Sequence, residues 1–119
     1  MKKTVVLGAT PNTGRYAYLA TMRLVRHGHE VVPIGIREGT IEGVDIQKGM
    51  PPLQGVDTVT LYLNAARQRD YYDYILSLKP KRIIFNPGAE NPELMRLAGE
   101  RGIETVEGCT LVMLSTGAY

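Results

Sequence analysis

"VLGATPNTGRYA", residues 6–17, decides how this chain is read. A short apolar and β-branched run, Thr4–Leu7, ends at Gly8, passes through a polar turn and enters a helical pattern. A strand that feeds a turn and then a helix is the opening unit of a parallel sheet. The turn carries Thr10, Asn12 and Thr13, whose short side chains bond readily to backbone, beside Pro11, Gly8 and Gly14. Unpaired backbone N–H groups at a helix start favour an anion, so a phosphate is the group such a turn can hold. An ordinary strand-to-helix turn with a polar cap accounts for the same residues, and spacing alone does not choose between the two.

Outward from this unit the chain alternates. The spacing predicts a helix over 14–27, with Ala17, Ala20, Thr21 and Leu24 on one narrow face and Gly28 closing it. "EVVPIGI", 30–36, reads as a second strand in which Pro33 implies an edge position or an irregular end. Residues 37–56, crowded with glycines and with Pro51 and Pro52, read as a loop with short extended pieces. "DTVTLYL", 57–63, is a third strand, and Asn64 is placed to cap a helix running to about Leu78, with Tyr71, Ile75 and Leu78 on one face and Pro80 beyond its end. "RIIF", 82–85, is a fourth strand. Asn91-Pro92-Glu93 is a helix start with a cap, a proline at the first position and an acid in the first turn. Gly102 ends that helix, "IETVE" at 103–107 reads as the last core strand, and the apolar tail from Cys109 to Tyr119 as a short helix or extended cover. Strands joined by helices imply parallel neighbours and right-handed crossovers. The expectation is α/β: one doubly wound domain over residues 1–119, with a mainly parallel sheet of about five strands.

Composition narrows the function classes. The 119 residues are 44% hydrophobic and 22% charged, the balance of a globular chain, and the formal charge of +2 is too small to suggest nucleic acid. The apolar stretch after Met-Lys-Lys is too short for a signal peptide, and no run approaches a membrane span. A lone cysteine, Cys109, cannot build a disulfide framework, which points to a reducing, cytoplasmic setting.

In a parallel sheet, ligands sit outside the carboxyl ends of the strands. The loops that matter are therefore 8–14, 35–39, 62–65, 86–91 and 107–110. The first is neither of the common phosphate loops. Gly8 and Gly14 stand too far apart for Gly-x-Gly-x-x-Gly, and Gly14-Arg15-Tyr16 lacks the Lys of a P-loop. The second lacks the acid that an NAD site places on the ribose, and offers Arg37 where a phosphate on the ribose could be met.

The combined pattern resembles the small CoA-binding proteins of the succinyl-CoA-synthetase-α-like type. "LGATPNTGRYAYLATMRLVRHGHEVVPIGI" is similar to their Gly-Ala-Ser-Pro-Asn-Pro turn and the following Gly-Tyr-Glu-Val-Tyr-Pro segment through Gly8, Ala9, Pro11, Asn12, Gly28, Glu30, Val31 and Pro33, with Tyr18 at the family's tyrosine. Gly88, Asn91, "RLAGERGIETVE" and Cys109 resemble the later family positions. Gly35-Ile36 departs from the family's Asn-Pro, and Leu63 from an Arg that many members carry after the aromatic. The resemblance implies a Rossmann-like fold with coenzyme A or an acyl-CoA as ligand. It places the pyrophosphate on the first loop, the adenosine near the loop after strand two, and the pantetheine along the end of strand three. The candidate binding residues are Gly8, Ala9, Thr10, Pro11, Asn12, Thr13, Gly14 and Arg15, then Gly35, Ile36 and Arg37, then Tyr62, Asn64 and Gly88.

No catalytic constellation accompanies them. There is no nucleophile elbow and no Cys/His cluster with metal spacing. His27 and His29 flank a turn at the opposite edge of the sheet, where His27 serves as a cation at a helix C-terminus. Asp70 and Asp73 read as charge-paired with Arg67 and Arg69 on a solvated face. Cys109 follows the last strand, where a small buried side chain or a thiol poised near CoA would both fit. The expected function is non-catalytic binding of coenzyme A or an acyl-CoA, for carrying, sensing or presenting it. The alternatives are a small NADP- or nucleotide-dependent enzyme in the same cleft, and an interaction subunit with a vestigial site, as monomer or homodimer. An unknown protein partner fits either role, whereas nucleic acid and membrane partners do not.

Overall fold

Strand β1 (Thr4–Leu7) is buried along its whole length and lies between two parallel neighbours in a computed structural model that describes all residues, Met1–Tyr119. Helix α1 (Tyr16–Arg26) follows the opening turn, then β2 (Val31–Ile34), a hairpin of β3 (Thr40–Ile41) and β4 (Val44–Asp45), and β5 (Thr58–Leu61). The rest is α2 (Ala65–Gln68), a 3-10 turn (Arg69–Tyr71), α3 (Tyr72–Ser77), β6 (Arg82–Phe85), α4 (Pro92–Glu100), β7 (Glu104–Glu107) and α5 (Thr110–Thr116). The main sheet has the order β2-β1-β5-β6-β7 and every pairing in it is parallel. The order reverses between β1 and β5, and this switch point is where such a sheet opens a crevice. The doubly wound α/β expectation holds.

The two faces of the sheet are covered differently. On one side Val5, Leu7, Val59, Leu61, Ile83 and Phe85 pack in an apolar cluster with Ile75, Leu94 and Ala98 from α3 and α4. On the other, a smaller cluster joins Val6 and Val31 to Leu24 of α1, Leu114 of α5, and Ile41 and Ile46 of the hairpin region. That second face also carries threonines. Thr60 shares a 2.8 Å hydrogen bond with Thr110, and the buried Asn86 amide donates to Thr60 Oγ1 and the Leu61 carbonyl while its Oδ1 accepts from the Thr110 backbone N–H at 2.9 Å. The hydroxyls of Thr60 and Thr110 and the Asn86 amide, all removed from water there, are paired, which is what allows threonine to stand in for an aliphatic side chain.

Three features differ from the sequence expectation. The helix expected from Asn64 to Leu78 is two helices joined by a 3-10 turn, because Gln68 is drawn into the interior, where its amide donates to the Leu63 and Ala89 carbonyls at 2.7 and 2.8 Å. The strand expected at 103–107 lies at the sheet edge, with both ends exposed and its middle only half-buried, so it is not a core strand. The first helix begins at Tyr16, two residues late, because Asn12 Oδ1 accepts from the Gly14 N–H at 3.0 Å and holds that residue in the turn. Within 37–56, residues 40–45 form a hairpin tied to α1 by the Arg26–Glu42 pair at 3.0 Å. Hydrogen bonds from Arg26 hold the Glu42 carboxyl below its usual range.

Candidate functional site

The turn after β1 is built by its own side chains. Thr10 Oγ1 accepts from the Asn12 N–H at 3.2 Å, and Asn12 in turn accepts from Gly14. Arg15 stands at the cap position of α1 in an extended conformation and supplies no side-chain cap. No protein acceptor meets the backbone N–H groups of Tyr16 and Ala17 in the first turn of the helix. A helix start left uncapped in this way presents donors and the positive end of the dipole to whatever lies in front of it.

In front of it lies a cavity of about 490 Å³ at the carboxyl ends of β1, β2 and β5, within the size range of small-molecule sites. Two close backbone approaches shape it. A Cβ on Gly35 would stand 2.1 Å from the Ala9 carbonyl oxygen, so the loop after β2 can press against the first turn only with glycine at that position. A Cβ on Gly8, which has φ +101°, would stand 3.0 Å from the Tyr62 backbone, so the end of β5 comes in closely from the other side.

Of the residues expected at a ligand site, the first turn contributes Gly8, Ala9, Thr10, Asn12 and Arg15 to the cavity wall. The second loop contributes Gly35, Ile36 and Arg37, and the third Tyr62. Five others stand off the wall. Pro11 packs against Gly39, where an added Cβ would meet it at 2.7 Å. Thr13 and Gly14 belong to the turn behind the cavity. Asn64 caps α2 by accepting from the Arg67 N–H at 2.9 Å, and the Gly88 N–H donates to Glu90 at 3.0 Å. Neighbouring Pro87 lines the cavity instead.

The wall also holds Leu63, Arg67 and Tyr71, which were not among the expected ligand residues, and, at the rim, Tyr16, an aromatic that the sequence puts close to the site. The expected pairing of Arg67 and Arg69 with Asp70 and Asp73 is absent, since none of the five ion pairs involves these residues. Arg67, exposed and within α2, lines the cavity instead. Arg15 and Arg37 are also free of ion pairs, and no acid lines the wall. Tyr16 and Ile36 are 74% and 78% exposed and flank the mouth. The Tyr62 hydroxyl is buried without a hydrogen-bond partner, and burial first, then the neighbouring Cys109, pushes its pKa well up, so it is a neutral phenol. Cys109 itself is half-buried at the cap position of α5 and off the wall. Both histidines lie at the opposite edge. His27 Nδ1 lies 2.7 Å from the Arg23 carbonyl, and His29 Nδ1 accepts from the Lys2 N–H at 2.9 Å. No three His, Cys, Asp or Glu side chains gather as a metal-ligating group, and no helix is long and apolar enough to cross a membrane.

A family model described as "CoA binding domain" matches residues 2–115. The chain is similar over its whole length to a crystal structure described as an uncharacterized protein, with 60% identity, a TM-score of 0.97 and 98% of that chain covered. A hypothetical protein from Pyrococcus horikoshii OT3 matches 97% of this chain and 82% of its own at 21% identity and a TM-score of 0.86. A Thermus thermophilus protein, cell-free ID.343, matches 99% and 90% at 21% identity and the same TM-score. These two likenesses show the fold. No curated protein matches the chain.

Proposed function

This chain belongs to the CoA binding domain family, and from that premise we propose that the cavity at its switch point binds coenzyme A or an acyl-CoA, as a binding site rather than a catalytic one. One observation carries the reading: a cavity of about 490 Å³ in front of the uncapped α1, with unpaired Arg15 and Arg37 and no acid on its wall. Phosphates are the ligand groups that such donors suit. In this reading the first turn and the Tyr16 and Ala17 amides hold the pyrophosphate. Arg37 meets the phosphate on the ribose, with Ile36 and Tyr16 packing on the adenine. Tyr62 and Leu63 line the pantetheine arm. The bound thioester is then carried, sensed or presented to a protein partner.

Calorimetric titration with coenzyme A, acetyl-CoA, NADP and ATP tests this, beside the double variant Thr10→Ala, Arg37→Ala. The expected result is saturable binding of the two CoA species, weaker for NADP and ATP, and reduced at least about tenfold in the variant, the scale of one lost charge-assisted hydrogen bond. Tighter binding of NADP would replace the reading with a dinucleotide site. Binding of none of the four would leave the turn as structure only and move the search to protein partners.

A further inference from the structure

Arg67 is the guanidinium that the phosphates do not explain. The two loops that flank the first turn belong to β2 and β5, one on each side of β1. Strands in a sheet lie about 4.8 Å apart, so the loops that follow β2 and β5 start about 10 Å from one another. Arg37 is on the β2 side of the phosphate turn and Arg67 on the β5 side. A CoA molecule that sets its ribose phosphate at Arg37 and its pyrophosphate at the central turn must run its arm over β5, past Tyr62, Leu63 and Pro87. That arm is uncharged. Yet it leads to an unpaired cation.

The position of Arg67 is built, not incidental. Gln68 beside it is fully buried and bonded to two carbonyls, and Asn91 Nδ2 donates both to Gln68 Oε1 and to the Tyr72 hydroxyl, each at 2.8 Å. This network fixes the rotation of α2 and the turn after it. With Gln68 and Tyr72 held inward, Arg67 and Tyr71, also four residues apart, both line the cavity. Neither the Arg67 guanidinium nor the Tyr71 hydroxyl is bonded within the protein, whereas the neighbouring Tyr72 hydroxyl donates to Glu93 at 3.0 Å. A planar cation and a phenol on one wall are a receptor for a carboxylate, which can take two parallel N–H donors and one O–H.

We propose that Arg67 and Tyr71 bind a carboxylate at the end of the acyl group, so that the ligand is an acyl-CoA in which the acyl chain carries a free carboxyl group, the monothioester of a dicarboxylic acid. This rests on the reading of the cavity as a CoA site.

Matched ligands separate the two. Wild type, Arg67→Leu and Tyr71→Phe are titrated with coenzyme A and with two pairs equal in chain length, malonyl-CoA against propionyl-CoA and succinyl-CoA against butyryl-CoA. In the wild type, the charged member of at least one pair binds about tenfold or more tighter than its neutral partner. Arg67→Leu abolishes that preference and leaves coenzyme A affinity unchanged, and Tyr71→Phe, which removes one hydroxyl and keeps the packing, reduces the preference. Coenzyme A binding with no preference in either pair overturns the inference and leaves the CoA site standing. Loss of coenzyme A affinity in Arg67→Leu also overturns it, since Arg67 would then hold a phosphate. Failure of the wild type to bind coenzyme A overturns the site itself.

Discussion

Gly35 shows at the scale of one residue how tightly the cavity is framed. Its backbone N–H donates to the Gln47 carbonyl at 2.9 Å while its Cα faces the Ala9 carbonyl at a distance no side chain tolerates. Gly35→Ala therefore forces two backbone segments apart. We expect a loss of about 2 kcal/mol or more in denaturant unfolding, on the scale of overpacked interiors, together with weaker ligand binding because the Ala9 and Ile36 walls separate. The sequence marks Gly35 as a candidate binding residue and as a departure from the family's Asn-Pro, but not why glycine is required there. Its steric reason lies in a contact 26 residues distant in the chain, which no local pattern encodes. Thr10 and Asn12 are the converse. Their turn-forming role was legible, because short polar side chains bond to backbone one or two residues away.

At the scale of elements, boundaries follow local chemistry where caps decide them. Asn91 caps α4 by accepting from the Leu94 N–H at 3.1 Å, in the place that Asn-Pro-Glu marks. Lys79, which follows α3, has φ +49° directly before Pro80. Left-handed backbone costs an L-residue about 1 kcal/mol or more, and glycine adopts it freely. Lys79→Gly should therefore stabilise the protein by up to about 1 kcal/mol and raise Tm by a few degrees in a thermal melt. Coenzyme A titration should not change, because this turn is at the edge of the sheet opposite the cavity. The split of the expected 64–78 helix was not legible. Its cause is the Gln68 amide reaching Ala89, a partner supplied by a different strand-to-helix loop.

At the scale of the whole molecule, the amino edge of the sheet is closed by residues from both ends of the chain. The Tyr119 ring packs at a tilt of 58° against His29, centroids 5.0 Å apart, and lies under the Arg82 guanidinium at 4.3 Å, and its hydroxyl shares a 2.6 Å hydrogen bond with Thr4. Arg82 is itself buried, with Nε donating to Thr58 Oγ1 and Nη2 to the Tyr119 carbonyl, both at 2.8 Å. His29 accepts from the Lys2 N–H and so needs a neutral ring nitrogen. Burial, and then the positive N-terminus, His27, Lys2 and Arg82, lower its pKa below the ordinary 6.5. The unfolded chain therefore binds the proton more readily than the folded one, and this contribution to stability is complete above pH 6.5 and lost as pH falls through the depressed folded value. Urea midpoints measured from pH 7.5 to pH 5 should fall, and His29→Gln should flatten that part of the profile. An equal slope in the variant would remove His29 as its source.

Amino-acid order by itself determined the alternation of strands and helices, the parallel doubly wound sheet and the turn that faces the cavity. These follow from periodicity, caps and glycines, all of which act over a few residues. Tertiary structure alone decided which side chains share that cavity. Arg15, Arg37 and Arg67 line it together because crossovers bring three loops to one edge, and the buried Gln68 amide holds α2 with Arg67 on the cavity wall. Pairings between residues distant in the chain depend on packing, and packing leaves no periodic trace in the sequence.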